Sequence, residues 1–218
     1  MAENTEKRVP KSSVKFSISL SSEQKEAKEK ILQHPYNFII GEAGTGKTLL
    51  AIQIALDRYF KREINKIVIT RPTVSSEQNG FLPGSIKEKL EPWLVPIMDN
   101  VRKVYSKDNI IEKMLTDNAI EIISLSHFRG ITIDKAVCIV DECQNLTVEQ
   151  MAMCIGRLGK ESQMIFCGDS KQIDLKNYYE SGLSKVDKLK QSSFVNIIEL
   201  TENHRHPALK EVLSLYYL

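Results

Sequence analysis

The sequence has no apolar run approaching the ~18 residues needed to cross a bilayer, so no helical membrane span is expected. An apolar leader is also missing: Met1-Ala2-Glu3-Asn4-Thr5-Glu6-Lys7-Arg8 is polar and charged, unlike a secretory signal. Cysteine is scarce, with four residues at 138, 143, 154 and 167 and neither CxxC nor Cys/His spacing, which argues against a zinc site. Cys138 and Cys167 lie inside apolar runs, where cysteine acts as a small buried hydrophobe. These absences predict a cytoplasmic, reduced protein without a membrane partner. An excess of one charge is lacking too, since 30 Lys and Arg face 28 Asp and Glu. A nucleic-acid binder with that balance must gather its positive charge on one face.

What is present suits one soluble core: 218 residues, 42% hydrophobic and 27% charged. Residues 1–14 are polar and unpatterned and are expected to be a disordered lead-in. Ser21-Ser22-Glu23-Gln24 reads as a helix start ahead of Ala27, Ile31 and Leu32. Phe38-Ile39-Ile40 is a short apolar run, and Leu49 to Leu56 continue as a helix apolar on most of its surface. Five further runs, at 66–70, 119–123, 136–140, 163–167 and 195–200, read as strands buried on both faces. Continuous apolarity with helical segments between predicts a mostly parallel sheet covered on both sides, an α/β domain of three layers over residues 15–218. Residues 72–107 contain Pro72, Pro83, Pro92 and Pro96 and are expected to be an insertion of turns and short helices.

The loop between the first strand and the apolar helix is Gly41-Glu42-Ala43-Gly44-Thr45-Gly46-Lys47-Thr48, with Leu49 next. It satisfies G-x-x-x-x-G-K-[ST] in the required strand–loop–helix context. Glycines let backbone N–H groups cradle phosphate oxygens at a helix N-terminus. Lys47 would reach the β- and γ-phosphates, and the Thr48 hydroxyl would ligate Mg2+. The loop alone predicts nucleoside triphosphate binding and nothing more.

Two other strand ends carry polar loops. Val137-Cys138-Ile139-Val140 runs into Asp141-Glu142, placing one carboxylate to bind Mg2+ with Thr48 and the next to polarise an attacking water. Ile165-Phe166-Cys167 runs into Gly168-Asp169-Ser170-Lys171-Gln172, where the Gln172 amide would touch the γ-phosphate or that water. Both elements suit hydrolysis better than transfer to a small molecule.

Together these elements resemble the first motor domain of superfamily 1 helicases, and among them most closely the PhoH-like family. The resemblance extends from about Leu20 to about Tyr217. Besides the three loops it is carried by Thr70-Arg71-Pro72, Gly80-Phe81-Leu82-Pro83-Gly84, Phe128-Arg129-Gly130 and Arg205-His206-Pro207. It implies a single RecA-like P-loop domain that hydrolyses ATP with Mg2+, acts on or is stimulated by single-stranded RNA or DNA, and assembles as a homo-oligomer, commonly a hexameric ring. Gln24 would read the adenine edge, Arg205 would sense the γ-phosphate in its own subunit or across an interface, and Arg71 and Arg129 would approach a nucleic-acid backbone. Two positions depart from the family pattern: Cys143 stands where alanine is usual, and Ile131 replaces the second arginine of Arg-Gly-Arg-Thr. One motor domain is recognisable, so a second copy is expected to supply any missing surface. Lys66, Arg71, Lys87 and Lys89 lie near the insertion, where Phe81, Trp93 and Tyr105 either stack on bases or pack the insertion onto the domain. The competing class is a nucleotide-gated switch or assembly protein that needs no nucleic acid.

Overall fold

The computed structural model describes residues 14–72 and 86–216; for 86–94, 209, 210 and 213 only the backbone is described. The chain begins with α1 (Ser22–Ile31), β1 (Tyr36–Gly41), α2 (Lys47–Phe60) and β2 (Lys66–Thr70). It continues through α3 (Ile86–Val104), α4 (Asp108–Thr116), β3 (Ile120–Ile122), α5 (Leu125–Phe128) and β4 (Ala136–Val140). The last elements are α6 (Val148–Ile155), β5 (Gln163–Gly168), β6 (Val195–Leu200) and α7 (Ala208–Tyr216). The six strands form one all-parallel sheet in the order β3-β2-β4-β5-β1-β6.

The strand side chains alternate between two cores. Ile39, Ile67, Ile69, Val137, Ile139, Ile165 and Cys167 face α1 to α4. Phe38, Val68, Ala136, Cys138, Val140, Met164 and Phe166 face the layer that contains α5 and α6. Both sets are apolar because parallel strands are covered on both faces, which is why these runs do not alternate in sequence. Phe38 and Phe166 stack across adjacent strands with ring centroids 4.5 Å apart. In α2, every residue from Leu50 to Leu56 is buried, so this helix is gripped nearly all round. All four cysteines are buried and unpaired, and burial pushes their thiols up, which leaves them inert.

The expectation for 72–107 needs correction. The described part from Ile86 to Val104 is one helix of 19 residues. Its second half buries Ile97, Met98, Val101 and Val104 in the α1–α4 core, a layer of the domain and not an appendage. The 3.6-residue period of those side chains outweighs the two prolines, which a reading of punctuation alone takes as breaks. Tyr105 is buried against Phe60 and Phe16, so it offers no stacking face. The lead-in expected at 1–14 and the Gly80–Gly84 element lie outside the described residues, apart from Val14, which packs against the core. Among the described residues no helix is long and apolar enough to cross a membrane.

Candidate active site

β1 delivers the chain to Gly41 and α2 starts at Lys47, which leaves the loop 42–46 between a buried strand and a buried helix. Gly44 and Gly46 have φ of 95° and 81°, a left-handed conformation that glycine adopts without steric cost. The loop is held from behind by its carbonyls. Asn203 Nδ2 donates to Ala43 O at 3.0 Å, the His204 N–H to Gly44 O at 3.0 Å, and Gln24 Nε2 to Thr45 O at 3.1 Å. A trans peptide sets its N–H opposite its C=O, so these bonds turn the N–H groups of Gly44 and Gly46 the other way. With the unpaired N–H groups of the first turn of α2, they make an anion cradle. The Lys47 ammonium donates to Gly41 O at 2.7 Å and Glu42 O at 2.9 Å, which keeps it over the loop.

The end of β4 meets this loop. Thr48 Oγ1 donates to Asp141 Oδ1 at 2.7 Å. Asp141 is buried, and burial pushes its carboxyl above the usual range; the neighbouring Glu142 charge adds to this, against the Thr48 hydrogen bond and Arg71. Two hard oxygen donors this close fit a shared Mg2+, whose neighbouring ligands lie roughly 3 Å apart. Among the described residues no group of three or more His, Cys, Asp or Glu could hold a metal.

Glu142 follows with φ 51°, a left-handed conformation that is strained for a side chain of its size. Its carboxylate has a donor on each oxygen: Arg71 Nη2 at 3.2 Å on Oε1 and Gln144 Nε2 at 2.7 Å on Oε2. Arg71 is the first residue after β2, so the ends of the adjacent strands β2 and β4 meet here.

A cavity of about 780 Å³ joins these groups, of a size that accommodates a nucleoside triphosphate. Lys47, Thr48, Leu49, Asp141, Glu142, Gln172 and Arg205 line it, together with Ile18, Ser19, Leu20, Ser21, Gln24 and His204. Of the loop itself Ala43, Gly44 and Gly46 line it, while Gly41, Glu42 and Thr45 do not. Arg205 belongs to the same chain and packs on Gly44, where an added Cβ would lie 2.7 Å from Arg205 Cγ. Gln172 contributes its exposed side chain to the wall, and its carbonyl accepts from Gln144 Nε2 at 3.0 Å. Gln24 is buried and committed at both ends: its oxygen caps α1 by accepting from the Ser21 N–H, and its nitrogen holds Thr45. Arg129 is exposed at the end of α5 and does not line the cavity. Lys66 pairs with Glu121 at 2.8 Å. The side chains of Phe81, Lys87, Lys89 and Trp93 lie outside what is described.

Sequence reasoning missed three groups of residues. Gln144 sits two residues beyond the acidic pair, in the strand-end loop that carries the family resemblance but with no role read for it, and it is fully buried. Asn203 and His204 strap the phosphate loop, and Glu23 fixes that strap by accepting from the Thr201 and Glu202 N–H groups. Lys171 pairs with Glu42 of the phosphate loop.

Comparison with known sequences agrees with this arrangement. The profile of PhoH-like proteins matches residues 18–217. The chain belongs to the PhoH-like family. A PhoH-like protein of Bacillus subtilis (strain 168) is 43% identical over 183 residues, covering 82% of this chain and 57% of that protein. Protein PhoH of Escherichia coli (strain K12) is 35% identical over 166 residues, covering 74% of this chain and 46% of that one. The chain therefore spans about half the length of these relatives. Among solved structures, the large terminase of the thermophilic bacteriophage D6E superposes with a TM-score of 0.59 at 11% identity, over 92% of this chain and 51% of that one. The Sulfolobus solfataricus SWI2/SNF2 ATPase core, solved with double-stranded DNA, gives 0.52 at 13% identity, over 84% and 45%. At such identities these likenesses concern the fold alone: a RecA-like P-loop domain.

Proposed function

We propose that this chain binds ATP with Mg2+ and hydrolyses it to ADP and phosphate, stimulated by single-stranded RNA or DNA. The observation that carries the reading is the Thr48–Asp141 contact at 2.7 Å, which brings the phosphate loop to the strand end bearing Glu142. The N–H cradle and Lys47 bind the phosphates, and bound Mg2+ would offset charge on the β- and γ-oxygens. Glu142 orients a water and takes its proton as the water oxygen bonds to the γ-phosphorus. The bond from that phosphorus to the β–γ bridging oxygen breaks, and ADP leaves with its electron pair. Lys47 and Arg205 stabilise the charge that develops. Gln172, which also lines the cavity, would contact the water or the γ-phosphate. The base lies toward Ile18–Gln24 and His204, and Gln24 reads adenine only if its amide leaves Thr45.

Nucleic-acid stimulation has its own support. It consists of the family resemblance and of Arg71, which joins a partly exposed strand end to the catalytic carboxylate. Assembly into a homo-oligomeric ring belongs to the same proposal. The test is phosphate release from ATP with Mg2+, with and without single-stranded RNA and DNA. Stimulation of several-fold supports the reading, whereas steady turnover without any response selects a nucleotide-gated switch.

A further inference from the structure

Between β5 and β6 two adjacent tyrosines, Tyr178 and Tyr179, stand 47% and 79% exposed. Their rings meet edge to face, with centroids 5.9 Å apart and planes at 75°. Neither lines the nucleotide cavity. β5 ends at Gly168 on the edge of the sheet where the phosphate loop lies, and the tyrosine loop extends from that same edge. Large amphipathic rings left uncovered suit a contact surface.

The loop that carries them is fastened on both sides. Asn145 Nδ2 donates to Asp174 Oδ2 at 3.0 Å, and the Asp174 N–H donates to Asn145 Oδ1 at 2.8 Å. At the other end Ser181 is completely buried, and its Oγ donates to Gln144 O at 2.6 Å. Between these anchors Asn177 closes a turn: its Oδ1 accepts from the Glu180 N–H at 3.1 Å, and its Nδ2 donates to Glu180 Oε1 at 2.8 Å. The backbone of 175–180 is thus braced in a shape that holds both rings out in solvent.

The charges around the rings divide into two sets. The acids are engaged: Asp187 pairs with Lys190 at 2.6 Å, and amides hold Asp174 and Glu180. Lys176, Lys185 and Lys188 are exposed and have no ion pair among the described residues. Lys176 lies two positions before Tyr178. Lys185 follows Ser184, whose Oγ donates to Tyr179 O at 3.3 Å. Lys185 and Lys188 are three apart in the 3-10 turns Gly182–Gln191 and therefore share one side of them. A purely apolar partner would cover the rings but strip water from these ammonium groups, which favours an occupant that brings its own negative charge.

We propose that Tyr178 and Tyr179, with Lys176, Lys185 and Lys188, form a docking surface for single-stranded nucleic acid. Unstacked bases lie on the rings, and backbone phosphates meet the lysines. A duplex keeps its base faces within its own stack and offers such rings no partner. The proposal rests on the nucleic-acid reading above and gives it a surface apart from Arg71 and Arg129.

The experiment measures fluorescence anisotropy of labelled oligo-U and oligo-dT of roughly 20 nucleotides, and of a duplex of the same length, with the full chain and no nucleotide. Tyr178→Ala combined with Tyr179→Ala should weaken single-strand binding roughly 10- to 100-fold, whereas the double Phe variant, which keeps both rings, should stay within about threefold of the parent. Replacing Lys176, Lys185 and Lys188 by Gln should lower the slope of log affinity against log salt by about 2. Basal ATP turnover of every variant should remain within about twofold of the parent, because none of these side chains lines the cavity. Whichever oligonucleotide the parent binds more tightly identifies the strand, and its loss in the double Ala variant is the expected result. Parent-like binding by that variant overturns the proposal alone, as does an equal loss in the double Phe variant or equal affinity of the parent for duplex. A smaller assembly mass in the double Ala variant would make this surface a contact between copies and would also overturn it. If the parent binds neither oligonucleotide, the proposal falls together with nucleic-acid stimulation, and ATP turnover by itself stands.

Discussion

Thr48 and Asp141 are 93 residues apart in sequence and 2.7 Å apart through a hydroxyl–carboxylate hydrogen bond. The first phosphate-side turn of α2 and the end of β4 thus present two oxygens at one point. If that point holds Mg2+, Thr48→Ala should raise the Mg2+ concentration for half-maximal ATP turnover by roughly tenfold or more, and Thr48→Ser should restore it. Titration of Mg2+ at saturating ATP measures this, and an unchanged midpoint in Thr48→Ala would remove Thr48 from the metal site.

The Lys47 ammonium rests on the carbonyls of Gly41 and Glu42, and on the proposed reading it moves to the β- and γ-phosphates when ATP binds. Lys47→Ala should weaken ATP binding at least tenfold or abolish turnover, with the melting temperature of the nucleotide-free protein near that of the parent. Equilibrium binding of a fluorescent analogue decides it.

Glu142→Gln should preserve ATP affinity and reduce hydrolysis roughly a hundredfold, the scale for loss of a general base. The strained left-handed backbone is retained by either side chain, so a folding defect is not expected. Comparing burst and steady-state phosphate release separates chemistry from product release.

Gly46→Ala should be among the most damaging small substitutions. It forces a side chain onto φ 81° and places a Cβ 2.5 Å from Gln24 Nε2. Backbone strain alone predicts about 1–2 kcal/mol of lost stability, and displacement of Gln24 frees the Thr45 carbonyl. Urea unfolding and ATP binding should both respond. A variant of parent stability with intact binding would show that the loop tolerates another conformation.

A pH dependence unrelated to catalysis is expected at Asp57. Burial alone would raise its pKa, but hydrogen bonds and charge from Lys28 and Lys61 outweigh that and lower it. A carboxylate lowered in the folded state contributes stability that is fully present above the unfolded value and is lost as pH falls through the folded one. Asp57→Asn should therefore cost about 1 kcal/mol near pH 7, and the gap should close progressively below about pH 4. Urea midpoints of both proteins across that range give the answer.

The strand ends were legible because each buried strand is one apolar run and the polar residue after it is automatically at the sheet's edge. Asp141, Glu142 and the phosphate loop could be placed on that ground alone. Gln144 could not be, since its meaning arises from Asp169 and Gln172, which chain folding brings to it. α3 was obscured by Pro92 and Pro96, whose effect on a helix is local while the apolar stripe from Ile97 to Val104 acts over its length. Tyr105 had the composition of a stacking residue, and only the positions of Phe16 and Phe60 show it to be core. Arg205 packs on Gly44, a contact between residues 161 positions apart that the motif reading did not show.

β6 is an outer strand of the sheet, yet its continuation supplies Asn203 and His204 to the carbonyls of Ala43 and Gly44. The loop carbonyls are therefore held by the continuation of a sheet margin. Local opening of that margin and release of the loop become one event, so amide hydrogens of β6 and of the loop should share an exchange rate. ATP should then slow exchange along the whole of β6 as strongly as it slows it around its own phosphates.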